Sequence, residues 1–382
     1  MSCDSCIYTC STRGATSPPP QPCPNADVSG IGVVTGYTVN AGIVVVIILL
    51  NYIFAFEPDA DPFLLEERGA QPRAEFLPNP IDKLVVAFIR EKCRIHVIVS
   101  KSVKEALKKC VLSMSDLQIL TGISILISGF KQLRCGISNY HWSILVYLAW
   151  FSSLTHFGCL TFLRNYLFNH PGERAWRLFF MAVIVVMLMV ALYPTGQADD
   201  FWNPSDAVIC LYKHSRSENS DPTPFINMII SMILLGFGFF IRIVKLFQIL
   251  STSASNKIRN PFSKVECWAL SRVYNWSSIH QHPTGWKRLL VYRPLLAWAL
   301  LFRIGIDLYL SMLGEVLWMA ISFAWGLVHL LRVRRSAHGG ENDWSFGQVV
   351  PVILIAAPLL TVFEFFYPGM LARSVNNRVP RC

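Results

Sequence analysis

The sequence predicts an all-α, polytopic membrane bundle of seven transmembrane helices. Three observations carry that prediction. Seven charge-poor apolar stretches lie at 33–56, 116–133, 140–163, 178–193, 224–241, 312–331 and 345–367. Hydrophobic residues make up 53% of the chain against 15% charged. Lys and Arg gather in alternate loops between the stretches. Crossing about 30 Å of hydrocarbon takes roughly 20 helical residues, and shorter apolar cores are extended by snorkelling ends. An eight-helix alternative makes 295–310 a crossing of its own.

Residues 1–32 form a polar tail rich in Cys, Pro and Ser, without the apolar core of a cleavable signal peptide, and are expected to be disordered. The first span, Val33 to Phe56, carries no charge and peaks at Ile43–Leu50. The loop 57–115 opens acidic and proline-rich. It then shows an apolar stripe of Ile81, Leu84, Val85, Phe88 and Ile89 among Lys83, Arg90, Lys92 and Arg94. Such a basic amphipathic helix suits either the inner leaflet or packing on the bundle. Ser115 and Gln118 have capping-box spacing and are expected to open the second span. Spans two to five fill 116–241.

The loop 242–311 is basic and studded with Trp268, Tyr274, Trp276, Trp286 and Tyr292, as suits the headgroup region. Arg303, Asp307, Ser311 and Glu315 recur every four residues, and no turn signal interrupts them. One long helix over 295–331, about 55 Å at 1.5 Å per residue, is therefore expected. Spans six and seven fill 312–367, and a short tail covers 368–382.

The net charge of +10 sits in blocks beside apolar spans. Anionic inner-leaflet lipid is the expected partner, with no nucleic acid. The loops 57–115, 164–177 and 242–311 and the C-terminal tail together hold 26 Lys and Arg, against eight in the others. Basic residues accumulate on the cytoplasmic side, so the N-terminus is expected to be exoplasmic and the C-terminus cytoplasmic, in the plasma membrane or another secretory-pathway membrane.

Few residues suggest chemistry. Burying charged or polar groups in a bilayer costs roughly 2.5–3.5 kcal/mol on insertion scales. His156, Arg303, Asp307 and Glu315 are thus candidates for an intramembrane polar site, or for groups satisfied by neighbouring helices. Cys135 and Cys210 both face the oxidising side in this topology, either bridged or as two thiols. Glu364 lies near a span end, and His280 and His282 read as a solvated loop. The signatures of zinc hydrolases, serine hydrolases and phosphate-binding loops are absent. No enzyme activity, cofactor or metal is expected.

The motifs Ser115-Asp116-x-Gln118-x-x-Thr121-Gly122, Cys135-Gly-Ile-Ser-x-Tyr140-His141-Trp142 and Leu148-Ala-Trp-Phe-Ser-Ser-Leu-Thr-His156 carry one resemblance. So do Leu163-Arg164-x-Tyr166 and Trp344-x-Phe346-Gly347-Gln348. With these the chain resembles a group of uncharacterised multi-pass membrane proteins of filamentous ascomycete fungi, which implies no activity. In layout it is faintly similar to seven-helix receptors of the G-protein-coupled type. Arg164 and Tyr166 at the inner end of the third span resemble their Asp-Arg-Tyr motif, with Leu163 in place of the acid and Asn165 inserted. This resemblance implies a Cys135–Cys210 bridge over the bundle mouth, a coupling contact at Arg164 and Tyr166, and a cytoplasmic protein partner. The Asn-Pro-x-x-Tyr motif of the receptors' last helix is missing. The function expected is that of a receptor-like or sensory protein; the alternative is a transporter, channel or lipid-handling protein.

Overall fold

The computed structural model describes residues 25–60, 78–92, 94, 100–197, 204–213, 221–247, 267–268, 270–275, 288–335, 344–358, 360–363 and 367. The His280–His282 pair, Glu364, the tail cysteines and both chain ends lie outside them. Among the described residues the architecture is helical, with one isolated bridge between Ser138 and Ala207 as its only β-type pairing.

Six helical stretches are long and apolar enough to cross a membrane: Ala26–Phe54, Ser102–Cys135, Asn139–Phe162, Pro171–Gly196, Thr223–Leu246 and Met312–Arg334. The helices that build them are α1 (Ala26–Ser29) and α2 (Ile31–Phe54), α4 (Lys101–Gln132), α5 (Asn139–Phe162), α7 (Pro171–Leu192), α9 (Thr223–Leu246) and α11 (Met312–Arg334). Between them lie α3 (Pro80–Lys92), α6 (Arg164–Asn169), α8 (Val208–Lys213) and α10 (Arg293–Leu310), and α12 (Phe346–Leu354) follows α11. Successive spans run in opposite directions. One end of the bundle therefore gathers residues 26–30, 133–139, 193–197, 204–213, 330–335 and 344–346. The other, the basic end, gathers 52–60, 78–92, 100–101, 163–171, 246–247 and 311–312.

The bundle is organised around α5, which packs on α2, α4, α7, α9 and α11. Its whole spanning window is buried, against 33–44% in the other spans. The cause is compositional. Where α7 and α9 present apolar stripes to lipid, α5 carries Ser152, Ser153, Thr155 and His156 among Trp142, Trp150, Phe151 and Phe157. Polar groups in hydrocarbon need partners, so this helix is the one surrounded by others. Small residues let the neighbours close in. A Cβ at Gly158 would collide with Val44, Ile48 and Met319, and one at Gly326 with Trp150.

Tryptophans then pin the helices across their seams, each buried indole N–H finding an acceptor. Trp142 Nε1 donates to Ala191 O at 2.9 Å and Trp150 Nε1 to Ser322 O at 3.0 Å. Trp318 Nε1 donates to Leu234 O at 3.2 Å and Trp325 Nε1 to Ser231 Oγ at 2.9 Å.

Two expectations are corrected. The single helix over 295–331 breaks at Ser311, whose ψ of 158° is extended and whose Oγ caps Gly314 N at 2.8 Å. A second capping group, Asp82, takes the next free N–H groups and makes the break stable. Lys245 Nζ donates to Ser311 O at 2.8 Å, so the end of α9 and the start of α11 lie at the same end of the bundle. The capping box at Ser115 also fails: α4 is continuous from Lys101, and Ser115 sits inside it. Within the 345–367 stretch the described residues form the nine-residue α12, with Pro351 inside it, and are helical again at 357–358 and 360–363. That helix packs on α2, where Gln348 Oε1 accepts from Gly32 N at 3.1 Å.

Candidate functional site

At the basic end, three spans meet over a buried ion pair. Arg242 and Lys245 lie three residues apart near the end of α9 and so share a face. Glu315 lies in the first turn of α11 and Thr161 in the last turn of α5. Lys245 Nζ stands 2.7 Å from Glu315 Oε1, both side chains only 6% exposed. Thr161 Oγ1 donates to the other carboxylate oxygen at 2.6 Å. Glu315 in a helix's first turn also faces the positive end of its backbone dipole.

Arg242 extends the network inward. Its Nε donates to Phe157 O at 3.2 Å and its Nη1 to Gly238 O at 2.8 Å. The guanidinium lies 4.7 Å from the Phe157 ring centroid, a cation–π contact. Its Nη2 is buried without an acceptor among the described residues. Arg164, half-buried at the start of α6, is close enough to act electrostatically on Lys245.

The same corner fixes the start of α11. Asp82, on α3 and 3% exposed, accepts from Met312 N at 2.8 Å and from Leu313 N at 3.0 Å. Tyr52 OH, at the end of α2, donates to Asp82 Oδ1 at 3.2 Å. These are N–H groups that a helix start leaves without intrahelical partners. Asn79 Nδ2 donates to Asp307 O at 2.7 Å, serving one of the carbonyls freed at the end of α10.

A second charged cluster joins α4 and α7. The Arg177 side chain, 4% exposed, forks onto Asp116, with Nη2 3.1 Å from both carboxylate oxygens. Its Nη1 reaches Glu173 Oε2 at 2.6 Å. Tyr166 OH donates to Glu173 Oε1 at 2.9 Å, and burial followed by that hydrogen bond pushes the phenol pKa upward. Asp116 and Glu173 are 43% and 37% exposed, so this cluster opens to the surface.

The four residues expected to form one polar site are dispersed. Glu315 is in the network. His156 lies on the α4 side of α5, its Nδ1 2.7 Å from Ser115 Oγ. Arg303 is exposed on α10, and Asp307 is buried beside α3. Arg164 and Tyr166 stand apart too, one beside Lys245 and the other on Glu173. Sequence reasoning missed Thr161, Arg242, Lys245, Asp82, Asp116 and Arg177. Arg242-x-x-Lys245 closing an apolar run reads as a snorkelling flank, because its partner lies 70 residues away.

The opposite end is closed by backbone. Asn139 N donates to Asp206 O at 2.8 Å, Tyr140 N to Pro204 O at 2.9 Å, and Val208 N to Ile137 O at 3.0 Å. The loop before α8 thus lies over the start of α5, as a bridge there was expected to arrange. The Cys135–Cys210 bridge itself is not formed. Cys210 is in a disulfide, but not with Cys135.

No metal-binding group of three or more His, Cys, Asp or Glu exists among the described residues. Comparison with known proteins gives little further. No family model matches the chain, and no solved structure does. One stretch of 61 residues is 33% identical to the elsinochromes biosynthesis cluster protein HP2 of Elsinoe fawcettii. It covers 15% of this chain and 16% of that protein. The chain is a helical, polytopic membrane protein that is locally similar to one fungal cluster protein.

Proposed function

We propose that this is a receptor-like or sensory membrane protein whose basic end faces the cytosol. There the Lys245–Glu315 pair would hold α5, α9 and α11 in a resting arrangement. The orientation rests on two independent supports. The basic loops converge on one end, as cytoplasmic loops do. The disulfide at Cys210 lies near the other, where an oxidising compartment would permit it.

The observation that carries the reading is the buried charge network joining the inner ends of three spans. An ion pair in such a place gives weak net stability but two distinct states, made and broken. A signal at the N-terminal end that shifts α5 against α9 and α11 would be read out as exposure of Arg242, Lys245 and Glu315 to a cytoplasmic partner. The partner is expected to be a protein beside an anionic leaflet.

The test is reconstitution of the parent chain and of Glu315→Gln in nanodiscs, with hydrogen exchange followed at the inner ends of α9 and α11. Faster exchange confined to those ends in the variant supports a releasable lock. The transporter alternative is examined in proteoliposomes. Solute flux in the parent chain that disappears in Glu315→Gln would replace the receptor reading. The local match to an elsinochromes biosynthesis cluster protein makes elsinochromes the first compounds to try in both arms.

A further inference from the structure

The helix α10 lies in the segment expected to be a basic cytoplasmic loop, yet it is dressed for lipid. Trp298, Leu301, Phe302, Gly305, Ile306 and Tyr309 recur at helical spacing and line one open groove of about 350 Å³. Trp298 is 73% exposed and Leu301 61% exposed. A Cβ added at Gly305 would meet nothing within 4 Å. At about 100° per residue, Arg293, Arg303 and Asp307 fall on the other side of the helix.

Its depth is set by aromatic contacts with the spans. The Tyr309 ring lies 5.4 Å from Phe237, which lies 5.1 Å from Trp318. Phe237 precedes the end of α9 by nine residues, about 13 Å along its axis. The Tyr309 ring, at the C-terminal end of the groove, therefore reaches alongside the spans at bilayer depth, while Ser311 holds the end of α10 level with the start of α11. Phe237 beside that ring is itself 40% exposed.

The neighbouring helix α3 repeats the pattern. It packs on both α10 and α11 and is tied down by Asp82 and Asn79. It exposes Leu84 and Phe88 one turn apart, with Lys83 and Lys92 exposed beside them. Arg293 and Arg303 are exposed on α10, whereas its one acid, Asp307, is buried.

We infer that α10 and α3 form a collar lying in the leaflet at the basic end. The Trp298–Tyr309 groove holds phospholipid acyl chain, and Arg293 and Arg303 hold anionic headgroups. Apolar lining, depth and cationic flanks together match one occupant, the bilayer itself, whose inner surface is negative. This inference rests on the membrane reading of the chain and adds a lipid-selective surface to it.

The test places photoreactive benzoylphenylalanine singly at Leu301, Phe302, Leu120 or Asp59, with the full chain in nanodiscs of phosphatidylcholine and phosphatidylserine. Leu120 is a lipid-facing position within α4, and Asp59 is an exposed position outside the spans. Crosslinking to lipid at Leu301 and Phe302 should match Leu120 and exceed Asp59 by at least about fivefold, as expected for a helix buried in the headgroup–acyl boundary. Phosphatidylserine should be favoured over phosphatidylcholine, and Arg293→Gln with Arg303→Gln should cut that preference by about fivefold per residue. Lipid crosslinks at Leu120 but none at Leu301 and Phe302 would overturn the collar and leave the bundle reading intact. Equal labelling by both lipids in the parent chain would overturn the headgroup half. Silence at Leu120 as well would overturn the membrane reading and the collar with it.

Discussion

The two charged clusters at the basic end use the same side-chain chemistry in different surroundings. Around Lys245 and Glu315 both partners are buried, and their remaining polar capacity is taken by Thr161 Oγ1 and Ser311 O. Around Arg177 only the cation is buried, while Asp116 and Glu173 keep more than a third of their side-chain surface in solvent. Exposed pairs are screened and contribute little. Buried pairs contribute little net energy when complete but leave an uncompensated charge when broken. The first cluster is therefore suited to be a switch, and the second a clasp between α4 and α7.

The largest expected effect of a single substitution is at Glu315. Glu315→Gln leaves Lys245 and Arg242 without their anion, a loss of about 3–5 kcal/mol as for other broken buried pairs. It should appear as a lowered unfolding midpoint in detergent at unchanged helix content. Next comes packing at the hub. Gly158→Val drives a side chain into Val44, Ile48 and Met319, and overpacking of this kind costs about 1–3 kcal/mol. Asp82→Ala should cost about 0.5–2 kcal/mol through the lost cap on Met312 and Leu313, with faster hydrogen exchange confined to the first turn of α11.

Smallest is Asp116→Asn in the half-exposed cluster, where screening limits the effect to under about 1 kcal/mol, shrinking further as salt is added. Salt should not erase the Glu315→Gln effect. Equal salt sensitivity at both sites would remove the distinction between switch and clasp.

What the sequence made legible divides along physical lines. Spans are encoded locally, in runs such as Ile43–Leu50, and were readable. The centrality of α5 has a local cause in Ser152, Ser153, Thr155 and His156, of which only His156 was singled out from the sequence. The break at Ser311 was hidden, because Arg303, Asp307, Ser311 and Glu315 continue a four-residue repeat across it. The signal that overrides the repeat is Asp82, 230 residues away from Met312 in the chain. Lys245 and Glu315 were hidden for the same reason. Each looks like an ordinary span-end charge until folding brings α9 and α11 together. Loop closure at the N-terminal end was anticipated through cysteines, yet backbone hydrogen bonds from Asn139, Tyr140 and Val208 achieve it.

The central claim is that Lys245 and Glu315 act as one buried unit. The most direct measurement is a double-mutant cycle on unfolding stability with Lys245→Met, Glu315→Gln and their combination. The account predicts strong coupling of up to about 3 kcal/mol, the double variant being far less destabilised than the sum of the singles. Additivity within about 0.5 kcal/mol would mean that the two residues do not pair in the membrane, and would contradict it.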